Sequence, residues 1–181
     1  MLQSAGIDRE GKQVAAAAKT ISASAPQAVI VGTAGKTALQ FVKEMTALGT
    51  QTTYYMNSGI NIASLTGELK EGARGIAIVQ LMPAVTDAGA SIALEYKKVA
   101  EGKPGTPMTP KGLEGYVSAK IFAEALRRAG KNLSREAFVG AMETLQSYDL
   151  GGVIANYSPT DRAGLTFVDL AVVSSGGKLL R

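Results

Sequence analysis

Short β-branched and aliphatic runs, each closed by glycine or proline and followed by a helical pattern, recur along this chain and limit its fold more than any other feature. Ala28-Val29-Ile30-Val31 is a continuous apolar run of the kind that fills a buried parallel strand. Gly32 to Gly35 supply a tight loop, after which Ala38, Val42 and Met45 recur at helical spacing until Gly49. Thr52–Tyr55 reads as the next strand, Asn57-Ser58-Gly59 as its turn, and Ile60–Leu65 as a short helix. Gly75–Leu81 reads as a third strand, broken by Pro83. Upstream, residues 9–24 align Val14, Ala17, Ala18 and Ile21 on one stripe, with Pro26 as the stop.

The pattern continues downstream with a helix that turns Ile92, Tyr96 and Val99 inward. A Gly- and Pro-rich surface loop follows, Gly102–Pro110. Helix 114–129 carries Val117, Ile121, Phe122, Ala125 and Leu126 on its buried side, with Gly130 as its cap. Ser134 is an N-cap for a helix bearing Phe138, Val139, Met142 and Leu145. Strands at 152–157 and 165–173 finish the chain. Strands alternating with helices imply a three-layer α/β sandwich with a mostly parallel sheet. At 181 residues and 46% hydrophobic content, residues 1–181 are expected to form a single domain around one substantial core. In such sheets ligands sit outside the carboxyl ends of the strands, which selects Gly32–Gly35, Met56–Gly59 and Met82–Pro83.

Composition narrows the chemistry. The chain has no cysteine and no histidine, which removes thiolate chemistry, the commonest general base and the commonest metal ligand together. The net charge of +4 is scattered, with Lys97-Lys98 and Arg127-Arg128 the densest pairs, so solvated helix faces account for it rather than a nucleic-acid surface. No apolar run approaches the ~18 residues that span a bilayer. The polar stretch from Gln3 to Gln13 directly follows the start, so no secretory signal is read there.

The run Gly32-Thr33-Ala34-Gly35-Lys36-Thr37 invites a nucleotide-binding reading and fails it. A phosphate-wrapping loop needs its leading glycine at the position of Ile30, which lies inside the strand, and Gly75–Pro83 offers no acid for magnesium. The shorter loop can still aim backbone amides at a ligand carboxylate from a helix N-terminus, or its glycines can simply permit a tight turn. The two readings are compatible.

Several stretches carry a family resemblance: APQAVIVGTAGKTALQFVKEM, TTYYMNSG, GARGIAIVQLMP, and GLEGYVSAKIFAEALRRAGKNLSREAFVGAMETL running into DLGGVIANYSPTDRAGLTFVDLAVVSSGGKLLR. Their order closely resembles the second half of the type I periplasmic solute-binding proteins of ABC importers, in the leucine/isoleucine/valine-binding class. The resemblance implies one lobe of a two-lobed ligand trap lacking its N-terminal lobe and, in this lobe, its first strand–helix unit. It further implies a small polar metabolite as ligand, an ABC permease as partner, a periplasmic or extracytoplasmic location for the full-length protein, and no cofactor. Met1–Ala5 would be a remnant of the strand before the first helix. The strand Val29–Val31 would then lack a neighbour, and self-association of the fragment is expected.

By resemblance, ligand groups come from the loops after the first two strands, here Thr33, Ala34 and Gly35, and Asn57, Ser58 and Gly59. Binders of aliphatic amino acids tend to have an aromatic residue in the first loop and a carboxylate in the second, where this chain has Ala34 and Ser58. An ammonium buried against Ser58 with no anion is costly, so a carboxylate, amide or aromatic solute is an alternative to an amino acid. Tyr54 or Tyr55 could stack on such a ligand, or alternation could send one into the core and the other toward a covering helix. Tyr116 reads as a packing residue near the hinge.

Two other functions compete. A sensory ligand-binding lobe would use the same fold. An enzyme would need a nucleophile and base, but Ser58 lacks the glycine two positions ahead that a nucleophile elbow uses, and no histidine exists to activate it. Asp149, Asp161 and Asp169 are accounted for by capping and turn formation.

Overall fold

The computed structural model describes residues 3–181, and the chain folds as two compact units, Met1–Gln80 with Leu170–Arg181, and Leu81–Asp169. The buried residues correspondingly form two clusters rather than the one core expected from length and composition.

The first unit is built on a five-stranded sheet in the order β1-β2-β3-β7-β8: β1 Ala28–Val31, β2 Thr53–Met56, β3 Ala77–Gln80, β7 Asp169–Val173 and β8 Leu179–Leu180. β1 pairs parallel with β2 in the register Val29↔Tyr54 and Ile30↔Tyr55, and β2 pairs parallel with β3 through Tyr55↔Ala77. β7 and β8 close the sheet as an antiparallel pair. The sheet is parallel from β1 to β3 and antiparallel from β7 to β8, and a central sheet flanked by helices agrees with the α/β reading.

Three helices accompany these strands. α1 spans Val14–Ser22 and buries Val14, Ala17 and Ala18, but it starts later than the apolar stripe suggests. Gly11 adopts a left-handed φ of 75° and Asp8 accepts a hydrogen bond from the Lys12 amide, so residues 8–12 turn instead of helping to nucleate the helix. α2, Gly35–Ala47, buries Ala38, Leu39, Phe41, Val42 and Met45. It stops where Gly49 turns left-handed, with the Thr50 amide on the Met45 carbonyl and the Gly49 amide on the Thr46 carbonyl. That pair of bonds is a Schellman ending, for which glycine is the residue of least steric cost. α3, Ile62–Leu69, runs into a 3-10 turn over Lys70–Ala73.

The second unit packs α4 (Ser91–Glu101), α5 (Pro110–Ala129) and α6 (Arg135–Glu143) with an antiparallel sheet of β4 (Tyr148–Asp149), β5 (Ile154–Asn156) and β6 (Gly164–Leu165). Its core gathers Ile92, Tyr96, Leu113, Val117, Ile121, Leu145 and Val153. α5 begins four residues earlier than expected, because the Thr109 hydroxyl caps the Gly112 amide at 3.0 Å and Pro110 fits the first turn. Ser134 caps α6 as expected, accepting from the Ala137 amide at 3.1 Å.

Several sequence expectations need correction. Val99 and Phe122 point outward at 44% and 54% exposure, while Ala100 on α4 and Leu113 on α5 are buried. Phe122 instead lies against Phe138, ring centroids 5.2 Å apart. The strand expected over 165–173 is two strands that belong to different sheets. Of the remnant expected at Met1–Ala5, Met1 and Leu2 lie outside the described residues, and Gln3–Ala5 form no strand. Among the described residues, no helix is long and apolar enough to cross a membrane.

Candidate functional site

Parallel pairing of β1 and β2 puts both of their C-terminal turns at one end of the first unit's sheet. The turns are tied together by one side chain. The Asn57 amide nitrogen donates to the carbonyls of Gly32 at 3.1 Å and Thr33 at 3.2 Å. Its oxygen accepts from the Gly59 amide at 2.8 Å, which closes an Asx turn around Ser58. A Cβ on Gly59 would stand 3.0 Å from that of Ala34 and 2.9 Å from the Asn57 oxygen, so glycine is what lets the turns approach this closely.

Thr33, Ala34, Gly35, Asn57, Ser58 and Gly59 are therefore brought into one group. Thr33, Asn57 and Ser58 are half-buried, and Ala34, Gly35 and Gly59 are exposed. Asn57 spends both amide hydrogens on backbone carbonyls, which makes it the residue that sets the spacing of the two turns. Met82–Pro83, the third turn selected from sequence, begins the second unit, where Met82 joins that unit's core.

The group is electropositive. Ala34 stands at the N-cap of α2 without a capping side chain, and the first turn of the helix holds no acid. The first N–H groups of α2 thus keep their partial positive charge at the site. Lys36 follows immediately and is exposed. It lines a cleft of about 240 Å³ together with Gly35, Leu39, Ile60, Asn61, Ser64 and Glu68. Asn61 is also the N-cap of α3, accepting from the Ser64 amide at 3.0 Å, and Glu68 is held by Lys43 at 2.7 Å. The cleft residues beyond Gly35 are absent from the sequence-based set. Asn61 was the findable one, since an Asn two residues past a glycine turn and just ahead of an apolar helical run signals a helix start.

The tyrosines part company as alternation in a strand requires. Tyr54 is 7% exposed within the first unit's core; its hydroxyl has no protein partner, and burial pushes its pKa up. Tyr55 faces the opposite side of the sheet at 38% exposure. Tyr116 packs on Tyr96 with centroids 5.8 Å apart. Asp149 accepts from the Gly151 and Gly152 amides, which lowers its pKa, and Asp161 accepts from the Ala163 amide. Both are turn-formers. Among the described residues, no three His, Cys, Asp or Glu side chains gather as a metal site.

Comparison with known proteins places these features in context. The family model described as "Periplasmic binding protein" matches residues 2–178. Among solved structures, a substrate-binding periplasmic protein from Ralstonia solanacearum is 29% identical with a TM-score of 0.79, over 92% of this chain and 48% of its own. An extracellular ligand-binding receptor from Verminephrobacter eiseniae is 25% identical with a TM-score of 0.82, over 97% and 50%. A possible leucine/isoleucine/valine-binding protein from Rhodopirellula baltica, 21% identical with a TM-score of 0.77 over 86% and 43%, shares the fold. The chain spans about half the length of these structures. No curated protein matches it by sequence.

Proposed function

Because this chain belongs to the periplasmic binding protein family, we propose that it is one lobe of a type I solute-binding protein that captures a small polar solute outside the cytoplasm and delivers it to an ABC permease. Residues 1–181 act as a single α/β lobe in this reading, and the solute is held between it and a second, N-terminal lobe. Hinge closure of the two lobes is the signal the permease reads. The process involves binding only, with no covalent chemistry.

The observation that carries the reading is the pairing of the Gly32–Gly35 and Met56–Gly59 turns by Asn57, beside the uncapped start of α2. This is a preorganised wall at the uncapped start of α2, next to Lys36, at the C-terminal ends of the parallel strands β1 and β2. Such a wall suits a carboxylate on the solute. Ser58 brings a neutral hydroxyl where an ammonium would need an anion, so the solute class favoured is a small carboxylate, with or without an aromatic ring, over an aliphatic amino acid.

A lobe alone contributes only part of the contacts, and the interactions that give affinity form on closure, so weak binding by this chain is the expected outcome. The test joins the chain to a complementary N-terminal lobe and screens small carboxylic, aromatic and amino acids by thermal shift, followed by titration calorimetry. A carboxylate should raise the melting temperature. Ser58→Asp should weaken its binding at least tenfold and shift preference toward ammonium-bearing solutes. Binding that is indifferent to Ser58→Asp would remove the two turns from the site.

A further inference from the structure

The second unit holds a small cavity of about 160 Å³ that the site turns do not account for. Two stretches build it. α6 contributes Val139, Met142 and Glu143, and the connection from β5 to β6 contributes Tyr157, Ser158 and Arg162.

Local bonds fix these stretches against each other. The Tyr157 amide donates to the Leu145 carbonyl at 2.8 Å, which ties the connection to the end of α6. The Ser158 amide donates to the Asp161 carbonyl at 2.8 Å, and the Ser158 hydroxyl accepts from the Asp161 amide at 2.9 Å, so the turn closes on itself. The Tyr157 ring lies on the backbone of Gly164, where a Cβ would come within 2.0 Å of Cζ. Glycine there is what lets the ring lie across the hairpin.

Size, lining and charge define what fits. An apolar cavity of roughly 150 Å³ accepts a benzene ring, and this one is of that scale. Met142 brings a polarisable thioether and Tyr157 an aromatic ring, both half-buried, and each suits contact with a second ring. The charged groups of the lining are Glu143 and Arg162, joined at 2.6 Å through Glu143 Oε1. That pair is net neutral, and Glu143 Oε2 is left as an acceptor. Burial pushes the Tyr157 pKa up, so its hydroxyl adds no charge near neutral pH.

We propose that this cavity binds a small uncharged aromatic molecule bearing one hydroxyl, a simple phenol, separately from any solute held at the turns of the first unit. The ring enters among Val139, Met142 and Tyr157, and its hydroxyl donates to the Glu143 carboxylate. An aryl carboxylate of the same size would set a second anion beside Glu143, whose charge Arg162 already matches. A ring without a hydroxyl would forgo the charge-assisted hydrogen bond.

Phenol titrated into the full chain and followed by NMR should shift the Val139, Met142 and Tyr157 signals saturably, with a dissociation constant below about 1 mM. The Asn57, Ser58 and Gly59 signals should stay in place. Benzoate should bind at least tenfold more weakly than phenol. Val139→Phe, which places a ring of its own in the cavity, should weaken phenol at least tenfold. Val139 is 38% exposed, so the fold should survive, with circular dichroism as the check. Glu143→Gln removes the anion and frees Arg162, and should cut the preference for phenol over benzoate to about threefold or less. Phenol should bind equally well after the chain is joined to an N-terminal lobe. No saturable shift, benzoate binding as tightly as phenol, indifference to both substitutions, or loss of binding in the two-lobed protein would each overturn the proposal.

Discussion

Replacing Asn57 with aspartate tests the link between the two site turns with almost no change in shape. The variant keeps an acceptor for the Gly59 amide but loses the donor that reaches the Gly32 and Thr33 carbonyls at 3.1 and 3.2 Å. Each such bond is worth about 0.5–1.5 kcal/mol net, and partial exposure keeps these two in the lower half of that range. A carboxylate facing two carbonyl oxygens adds repulsion, so Asn57→Asp should cost about 1–2 kcal/mol at neutral pH. In thermal unfolding followed by circular dichroism this corresponds to a midpoint about 2–8 °C lower. The pH dependence identifies the mechanism. Carbonyl oxygens disfavour the ionised acid, so the folded-state pKa of the new carboxyl is raised, and its protonation restores a donor. The deficit relative to the unsubstituted chain should therefore be full at pH 7 and shrink as pH falls through that raised pKa. Equal stability at pH 7, or a gap that widens in acid, would refute the idea that Asn57 holds the turns together.

Two further outcomes follow from the second unit. Glu124 receives hydrogen bonds from Arg127 and then Arg128, and these lower its pKa from 4.5 to about 2. Its contribution is present above the ordinary carboxylate range and fades as pH falls toward about 2, so Glu124→Gln should be less stable near neutrality and converge with the unsubstituted chain in acid, by thermal melts across that window. Ile92 is fully buried, and Ile92→Ala should destabilise the second unit by about 2–5 kcal/mol in urea unfolding through lost transfer energy and an unfilled cavity; a loss below about 1 kcal/mol would show that the site collapses on itself.

Helix and strand existence was legible wherever periodicity was strong. β1 begins and ends where the apolar run does, and Ser134 and Gly49 act as the start and stop that their chemistry suggests. Legibility failed where one residue type suits several environments. Val99 and Phe122 fit an apolar stripe by spacing, but their neighbours Ala100 and Ile121 are the ones that turn into the core. Residues 165–173 read as one run because hydropathy does not mark residues 166–168, where the chain leaves one sheet for another. At the site, the glycines and the Asn-Ser-Gly turn were visible as residues. The engagement of Asn57 with carbonyls 24 and 25 positions away was not.

Local order in this protein is a property of its sequence: alternating apolar runs and amphipathic stretches dictate strand, turn and helix because backbone geometry and side-chain spacing are local matters. Which strands become neighbours was decided only in the tertiary structure. Strand order, the split into two cores and the meeting of the turns at Thr33 and Ser58 depend on contacts between residues far apart in the chain, and no local period encodes those.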